Sequence, residues 1–276
     1  MKTKNFSTIA YQILDGLTNP LVSLLTAPLA LLLFGTLLGI KVAPFQLVPM
    51  LMLLLFLFFL NLQDLLFQRS KQLNPRLVLI TVIASNVLLL LPIIYFWFNL
   101  GERISILLAL VVAANHLVLK RFHTFDNYYP FFLLTQTIFK VGVISFVSYF
   151  IQVKSVPVSI LILFIPLAVL YLGIQDQHYR KKEENIVSPL TGEDAPLQKI
   201  LSILLNLAIP LSYVLFILLV RNHYHLIPLI LILITILFYI IYRATIVRNY
   251  SQSRAASFLT VYYLCFVFLS GIFYIS

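Results

Sequence analysis

The stretch FLNLQDLLFQRSKQLNPR, Phe59 to Arg76, closes one long apolar run and leads into another. Asn61, Asp64, Gln68 and Arg69 stand where such a run would leave a bilayer. A polar group in hydrocarbon is costly unless a partner or a wet cavity meets it. Something in the fold is therefore expected to meet these side chains. Reading the flanking runs as membrane helices decides the fold class.

Composition agrees with that reading. Hydrophobic residues make up 61% of the chain and charged residues only 10%, with a mean hydropathy of +1.01. A soluble domain carries about 25% charged residues. The expectation is an all-α integral membrane protein forming a single polytopic domain over 1–276. The lone cysteine, Cys265, lies in an apolar run and reads as packing. The amino-terminal MKTKNFSTIAYQILDGL has two lysines but no short apolar core followed by a small-residue cleavage site, so it is expected to be retained.

A crossing needs about 20 apolar residues. Nine stretches qualify, near 20–40, 44–66, 77–98, 103–120, 129–151, 155–175, 199–220, 224–243 and 257–275. The fourth is the shortest. Pro44, Pro157 and Pro228 fall near helix starts, where a missing N–H is tolerated. Pro92, Pro166 and Pro210 fall inside spans and are expected to kink them.

With the amino terminus in the cytoplasm, 14 Lys and Arg residues fall on the inner side and 4 on the outer, with Lys140 inside the fifth span. This asymmetry is the positive-inside pattern, so the net charge of +10 reports topology and not nucleic acid. The cytoplasmic loops are expected near 67–76, 120–128, 176–198 and 244–256. They hold most of the polar chemistry.

Asn61, Asp64 and Gln68 are spaced i, i+3, i+7 and share a helix face, with Arg69 one step round. Two readings compete. Asn61 and Asp64 are hard oxygen ligands suited to a Mg²⁺ ion that bridges to a phosphate. Alternatively, the helix end merely turns polar and Asp64 pairs with Arg69 or Lys71. After span six, GIQDQHYRKKEE places Asp176 four residues before Arg180, within pairing reach, and Lys181 to Glu184 read as a solvated extension. In LKRFHTFDN, Lys120 and Arg121 suit a diphosphate or anionic lipid headgroups. Lys140 lies too deep for easy snorkelling and calls for Asp64, Asp176 or a bound anion as partner. His116 reads as a core histidine bonded to a neighbouring carbonyl. No glycine-rich phosphate loop, HExxH or Ser-His-Asp order is present.

The clusters that end helices two and six, taken with nine spans, resemble the UbiA superfamily of intramembrane prenyltransferases. The run after helix two is similar to the family's Asn- and Asp-rich motif, with Asn61 and Asp64 retained and Leu62 and Gln68 as replacements. KRFHTFDN resembles a basic loop after helix four, Lys140 sits where the family often has a basic residue, and Asp176 with Arg180 resembles a second Asp-rich motif. The resemblance implies a Mg²⁺-dependent prenyltransferase that moves a polyprenyl group from an allylic diphosphate to a lipophilic acceptor. It implies Asp64 and Asp176 as catalytic residues and Asn61, Asp64 and Asp176 as metal ligands. It further implies Asn61, Gln68, Arg69, Lys120, Arg121, Lys140 and Arg180 around the diphosphate. The setting it implies is a bacterial inner membrane, with the site on the cytoplasmic face. A silent lipid-binding or membrane-subunit relative is the alternative. A small-molecule transporter is the third reading, disfavoured by the lack of a clear inverted repeat or a mid-membrane acid pair.

Overall fold

A computed structural model describes residues 12–69, 74–121, 129–183, 195–220, 226–247 and 250–275. These are helical almost throughout, with no strand among the described residues. In chain order the helices are α1 (Pro20–Ile40), α2 (Leu47–Arg69), α3 (Pro75–Leu100), α4 (Glu102–Arg121), α5 (Tyr129–Thr137), α6 (Ile144–Val153), α7 (Val158–Leu163), α8 (Ile165–Glu183), α9 (Ala195–Val220), α10 (Leu226–Ile241) and α11 (Gln252–Ile275). A π-helical turn, Ile138–Val143, joins α5 to α6, and a second, Tyr242–Ile246, follows α10.

Six stretches of described helix are long and apolar enough to cross a membrane: Leu21–Ile40, Leu47–Leu66, Arg76–Leu100, Phe131–Val153, Val158–Gln177 and Arg254–Ile272. Two further apolar helices, Leu204–Leu219 and Ile232–Ile246, are shorter. The helix over the fourth stretch, α4, is in neither group.

Local sequence explains where these elements begin and end. Asn74 caps α3, its Oδ1 accepting from the Arg76 N–H at 3.0 Å, and Pro75 follows at the first helical position. Gly101 ends α3 at φ 94°, a conformation that favours glycine, and α4 starts at the next residue. Pro157 caps α7 as expected. Pro92 and Pro210 lie inside α3 and α9. Pro166 differs from expectation. The sixth span is interrupted at Phe164, and Pro166 occupies the first turn of α8, where its missing N–H breaks no helical bond. Helices also run further into the polar segments than expected, α2 to Arg69 and α8 to Glu183, and α9 already begins at Ala195.

The chain forms two compact units, one from Leu31–Ala168 with Ser270–Ser276, the other from Met1–Ala30 with Val169–Leu269. In the first, α2 packs on α3, α4 and α6, and α4 packs on α5 and the first π-helical turn. Leu53, Phe56, Leu57, Leu60, Leu108 and Val141 are almost completely buried there. α3 instead shows Leu79, Ile83, Leu90, Leu91, Ile94 and Phe98 to the outside. Such a face suits lipid, which is as apolar as leucine.

Small residues allow a close helix approach in this unit. A Cβ on Gly35 would lie 2.0 Å from Ser148 Oγ and 2.3 Å from the Ser145 carbonyl oxygen. One turn on, a Cβ on Gly39 would lie 2.5 Å from Gln152 Cβ. This is the small-xxx-small contact by which membrane helices gain van der Waals packing. Gln152 also accepts from the Gln46 N–H through Oε1 at 2.8 Å, satisfying a backbone donor just before α2.

The second unit has an aromatic core. Tyr213 donates to Thr235 Oγ1 at 3.0 Å and shares a 2.8 Å hydrogen bond with the Tyr262 hydroxyl. Gln177 Nε2 donates to the Tyr239 hydroxyl at 3.0 Å. Tyr242 stacks on Tyr239 and on Phe258. Buried tyrosines commonly need such hydroxyl partners. Arg254 pairs with Asp15 at the surface of this unit.

Candidate functional site

The first unit contains a layer of polar side chains within otherwise apolar helices. Asp64 on α2 is 7% exposed. Its Oδ1 accepts from Asn115 Nδ2 of α4 at 2.8 Å, and its Oδ2 is paired with Lys140 Nζ. Asn115 Oδ1 in turn accepts from Gln136 Nε2 of α5 at 3.3 Å. One carboxylate is thus held by an ammonium and an amide, and the amide is held by a second amide.

A neighbouring network starts one residue earlier on α2. Gln63 Nε2 donates to Ser85 Oγ and to Asn86 Oδ1 of α3, each at 2.9 Å. His116 of α4 meets the same Asn86 oxygen through Nε2 at 2.8 Å, which places the proton on Nε2. Adjacent helical residues point about 100° apart, following from 3.6 residues per turn. Gln63 and Asp64 therefore face different neighbours, as do Asn115 and His116. The two doublets let α2 and α4 serve both networks.

Lys140 owes its place to the first π-helical turn, Ile138–Val143. A π turn inserts extra backbone into a helix and recurs at functional sites. Here it offers Lys140 to Asp64 while Gln136 meets Asn115. Gln136 and Lys140 line a polar cleft of about 10 Å³ with Asn115, Thr135 and Phe139. That is about the smallest space that holds a water. Thr137, Ile138 and Gly142 line a different space, an apolar groove of about 490 Å³ shared with Phe146, Leu161 and Phe164. The volume suits a small-molecule or lipid-chain site. Thr137 is 5% exposed, and its hydroxyl has no hydrogen-bond partner.

Against the sequence expectations, Asp64 and Lys140 come together directly. Lys140 is the cation paired with Asp64 among the described side chains. Asn61 is half-buried one turn before Asp64 on α2. Asp176 is 1% exposed on α8, in the second unit. The backbones of Gln68, Arg69, Lys120, Arg121 and Arg180 belong to α2, α4 and α8, but their side chains lie outside the described residues, as does all of Lys71. Sequence reasoning missed Asn115, Gln136, Gln63 and Asn86. The signal for two of them was available: Gln136 precedes Lys140 by four residues, and Asn115 adjoins His116 inside the apolar LVVAANHLVL.

The resemblance implies Mg²⁺, and the donors here fit it in one form only. Among the described residues, no three of His, Cys, Asp and Glu come together to hold a metal. Asp64 supplies a single buried carboxylate whose oxygens each keep a further lone pair. This set suits Mg²⁺ held by one carboxylate, waters and the phosphates of a bound substrate, and does not suit an all-protein cage.

No protein-family model matches this chain, and no curated protein matches it.

Proposed function

We propose that this chain is a UbiA-like protein that crosses the membrane nine times, amino terminus inside, and transfers a polyprenyl group from an allylic diphosphate to a lipophilic acceptor. The observation that carries the reading is the half-buried Lys140, held to Asp64 on a π-helical turn with Asn115 and Gln136 beside it. Charged groups inside membrane helices mark ligand pathways far more often than structural ornaments. The 14-to-4 basic asymmetry favours placing this end of α2 on the cytoplasmic side.

In this reading Lys140 binds a terminal phosphate oxygen; the resemblance adds Arg69, Lys120, Arg121 and Arg180 to the diphosphate set, and their side chains lie outside the described residues. The prenyl tail occupies the groove between Thr137 and Phe164. Ionisation breaks the C1–O bond and leaves diphosphate. The allylic carbon then bonds to the acceptor, which loses a proton. Mg²⁺, when bound, supplies Lewis-acid stabilisation of the leaving diphosphate.

A second reading is a silent relative that binds a prenyl lipid without turnover. It is favoured by the engagement of both Asp64 oxygens, one by Asn115 and one by Lys140.

Binding of geranylgeranyl diphosphate to the purified chain in nanodiscs tests the shared core of both. Gly142 lines the groove and a Cβ there meets nothing within 4 Å, so Gly142→Leu takes up groove space. It is expected to weaken geranylgeranyl diphosphate about 10-fold or more, as losing several buried CH₂ contacts implies, while dimethylallyl diphosphate is unaffected. Failure of wild type to bind any prenyl diphosphate would remove the reading. Product formation with an added acceptor separates the transferase from the silent relative.

A further inference from the structure

We infer that Lys140 gates Asp64, so that a divalent metal and a phosphate-bearing ligand occupy this site only together. The nature of the anion rests on the prenyl-diphosphate reading; the gate rests on geometry. Lys140 Nζ is bonded to Asp64 Oδ2, while Asn115 Nδ2 holds Oδ1 at 2.8 Å. Only 13% and 9% of the two charged side chains reach the surface. A metal ion arriving alone meets a carboxylate already neutralised by an ammonium in contact with it. Two cations forced that close, with little water between them, repel strongly.

Among the described residues that bond to Asp64, Asn115 does not offer the metal another route. Turning the Asn115 amide to present its carbonyl oxygen would break its bond to Asp64 and lose the 3.3 Å bond from Gln136. A phosphate changes the balance. Its oxygens give Nζ a new acceptor, so the ammonium can leave Oδ2 without becoming a bare buried charge. The same oxygens complete the shell of an ion that Asp64 alone would hold poorly. Lys140 suits the task because its charge rides on a flexible four-carbon stem.

Such coupling is reciprocal: whatever factor the anion adds to metal affinity, the metal adds to anion affinity. The test is Mn²⁺ binding to the full chain in nanodiscs of zwitterionic lipid, with free Mn²⁺ followed by its electron paramagnetic resonance signal. Wild type is expected to show no saturable site for Mn²⁺ alone. Lys140→Gln keeps a hydrogen-bond donor beside Asp64 but removes the charge. It is expected to gain a saturable Mn²⁺ site, roughly 10- to 100-fold tighter than the unsaturated binding of wild type, the usual span of a coupling between sites. The double variant Lys140→Gln/Asp64→Asn is expected to lose that site. In wild type, radiolabelled farnesyl thiodiphosphate should gain affinity when Mn²⁺ is present.

A wild-type site for Mn²⁺ alone that Asp64→Asn removes would overturn the gate. So would a folded Lys140→Gln that gains no site. If Lys140→Gln does not fold, wild type decides: thiodiphosphate affinity indifferent to Mn²⁺, or no binding of either, overturns the gate, and a rise supports it. Should the thiodiphosphate never bind while Lys140→Gln gains an Asp64-dependent Mn²⁺ site, the gate stands and the prenyl-diphosphate reading falls.

Discussion

Gly35→Ala is expected to destabilise the protein more than alanine at any other described glycine, by about 3 kcal/mol or more, the upper part of the range for overpacking. The new Cβ would meet Ser148 Oγ at 2.0 Å, the Ser145 carbonyl oxygen at 2.3 Å and the Tyr149 nitrogen at 2.9 Å. A serine hydroxyl can rotate aside; a backbone carbonyl in the first turn of α6, continuous with the π-helical turn before it, cannot. The helices must separate, and van der Waals packing is the main source of attraction between them in lipid. Ser148→Ala should therefore fail to rescue Gly35→Ala. Gly142→Ala is the control, because its Cβ enters open space and alanine is the better helix former by about 1 kcal/mol. Thermal midpoints in nanodiscs check all three. A Gly35→Ala midpoint within a degree or two of wild type would show that the close approach does not exist.

Removing one member of the Asp64–Lys140 pair is expected to cost about 3–5 kcal/mol, the usual penalty for leaving a partner charge buried and alone. Asp64→Ala strands the Lys140 ammonium. Lys140→Met strands the carboxylate, which still has Asn115. The double variant Asp64→Leu/Lys140→Met removes both charges and is expected to recover most of the loss, since an apolar replacement of a buried pair is often neutral or better. The coupling is read from the four midpoints of the cycle. Near-additive losses would mean that the two groups do not interact. Loss of activity in Asp64→Ala alone therefore carries little weight about catalysis. A decisive activity comparison needs Asp64→Asn, which can still accept from Asn115, with folding measured on the same sample.

Legibility differed between levels of the structure. The membrane class followed from composition, because few charged residues and long apolar runs leave no other folded state for such a chain. The helix start at Val158 followed from Pro157, whose missing N–H is tolerated there, and that chemistry is local. The interruption at Phe164 was not read, since Pro166 fits equally well inside a kinked helix and in a first turn, and only packing chooses between them. Lys140 announced itself by its depth, and Asp64 was among its proposed partners. Asn115 and Gln136 did not, because an amide in an apolar helix has no sign to be matched and its partner depends on helix rotation. The π turn was invisible for a related reason. IFKVGV has no cap, charge pattern or proline to mark it, and the wider turn is stable only because flanking helices hold both of its ends.

That wider turn acts as a shim in the chain. Deleting one residue from an ordinary membrane helix rotates everything beyond it by about 100° and moves it along the axis by about 1.5 Å. Within Ile138–Val143 the spare backbone can absorb a one-residue loss by tightening to an α-helix. Leu133 and Gln136 would then keep their side of the helix, and Ser145 and Ser148 would keep theirs against Gly35. Length is negotiable at this point of the fold in a way it is not along α2 or α3, and any change in that length would be felt first at the amine of Lys140.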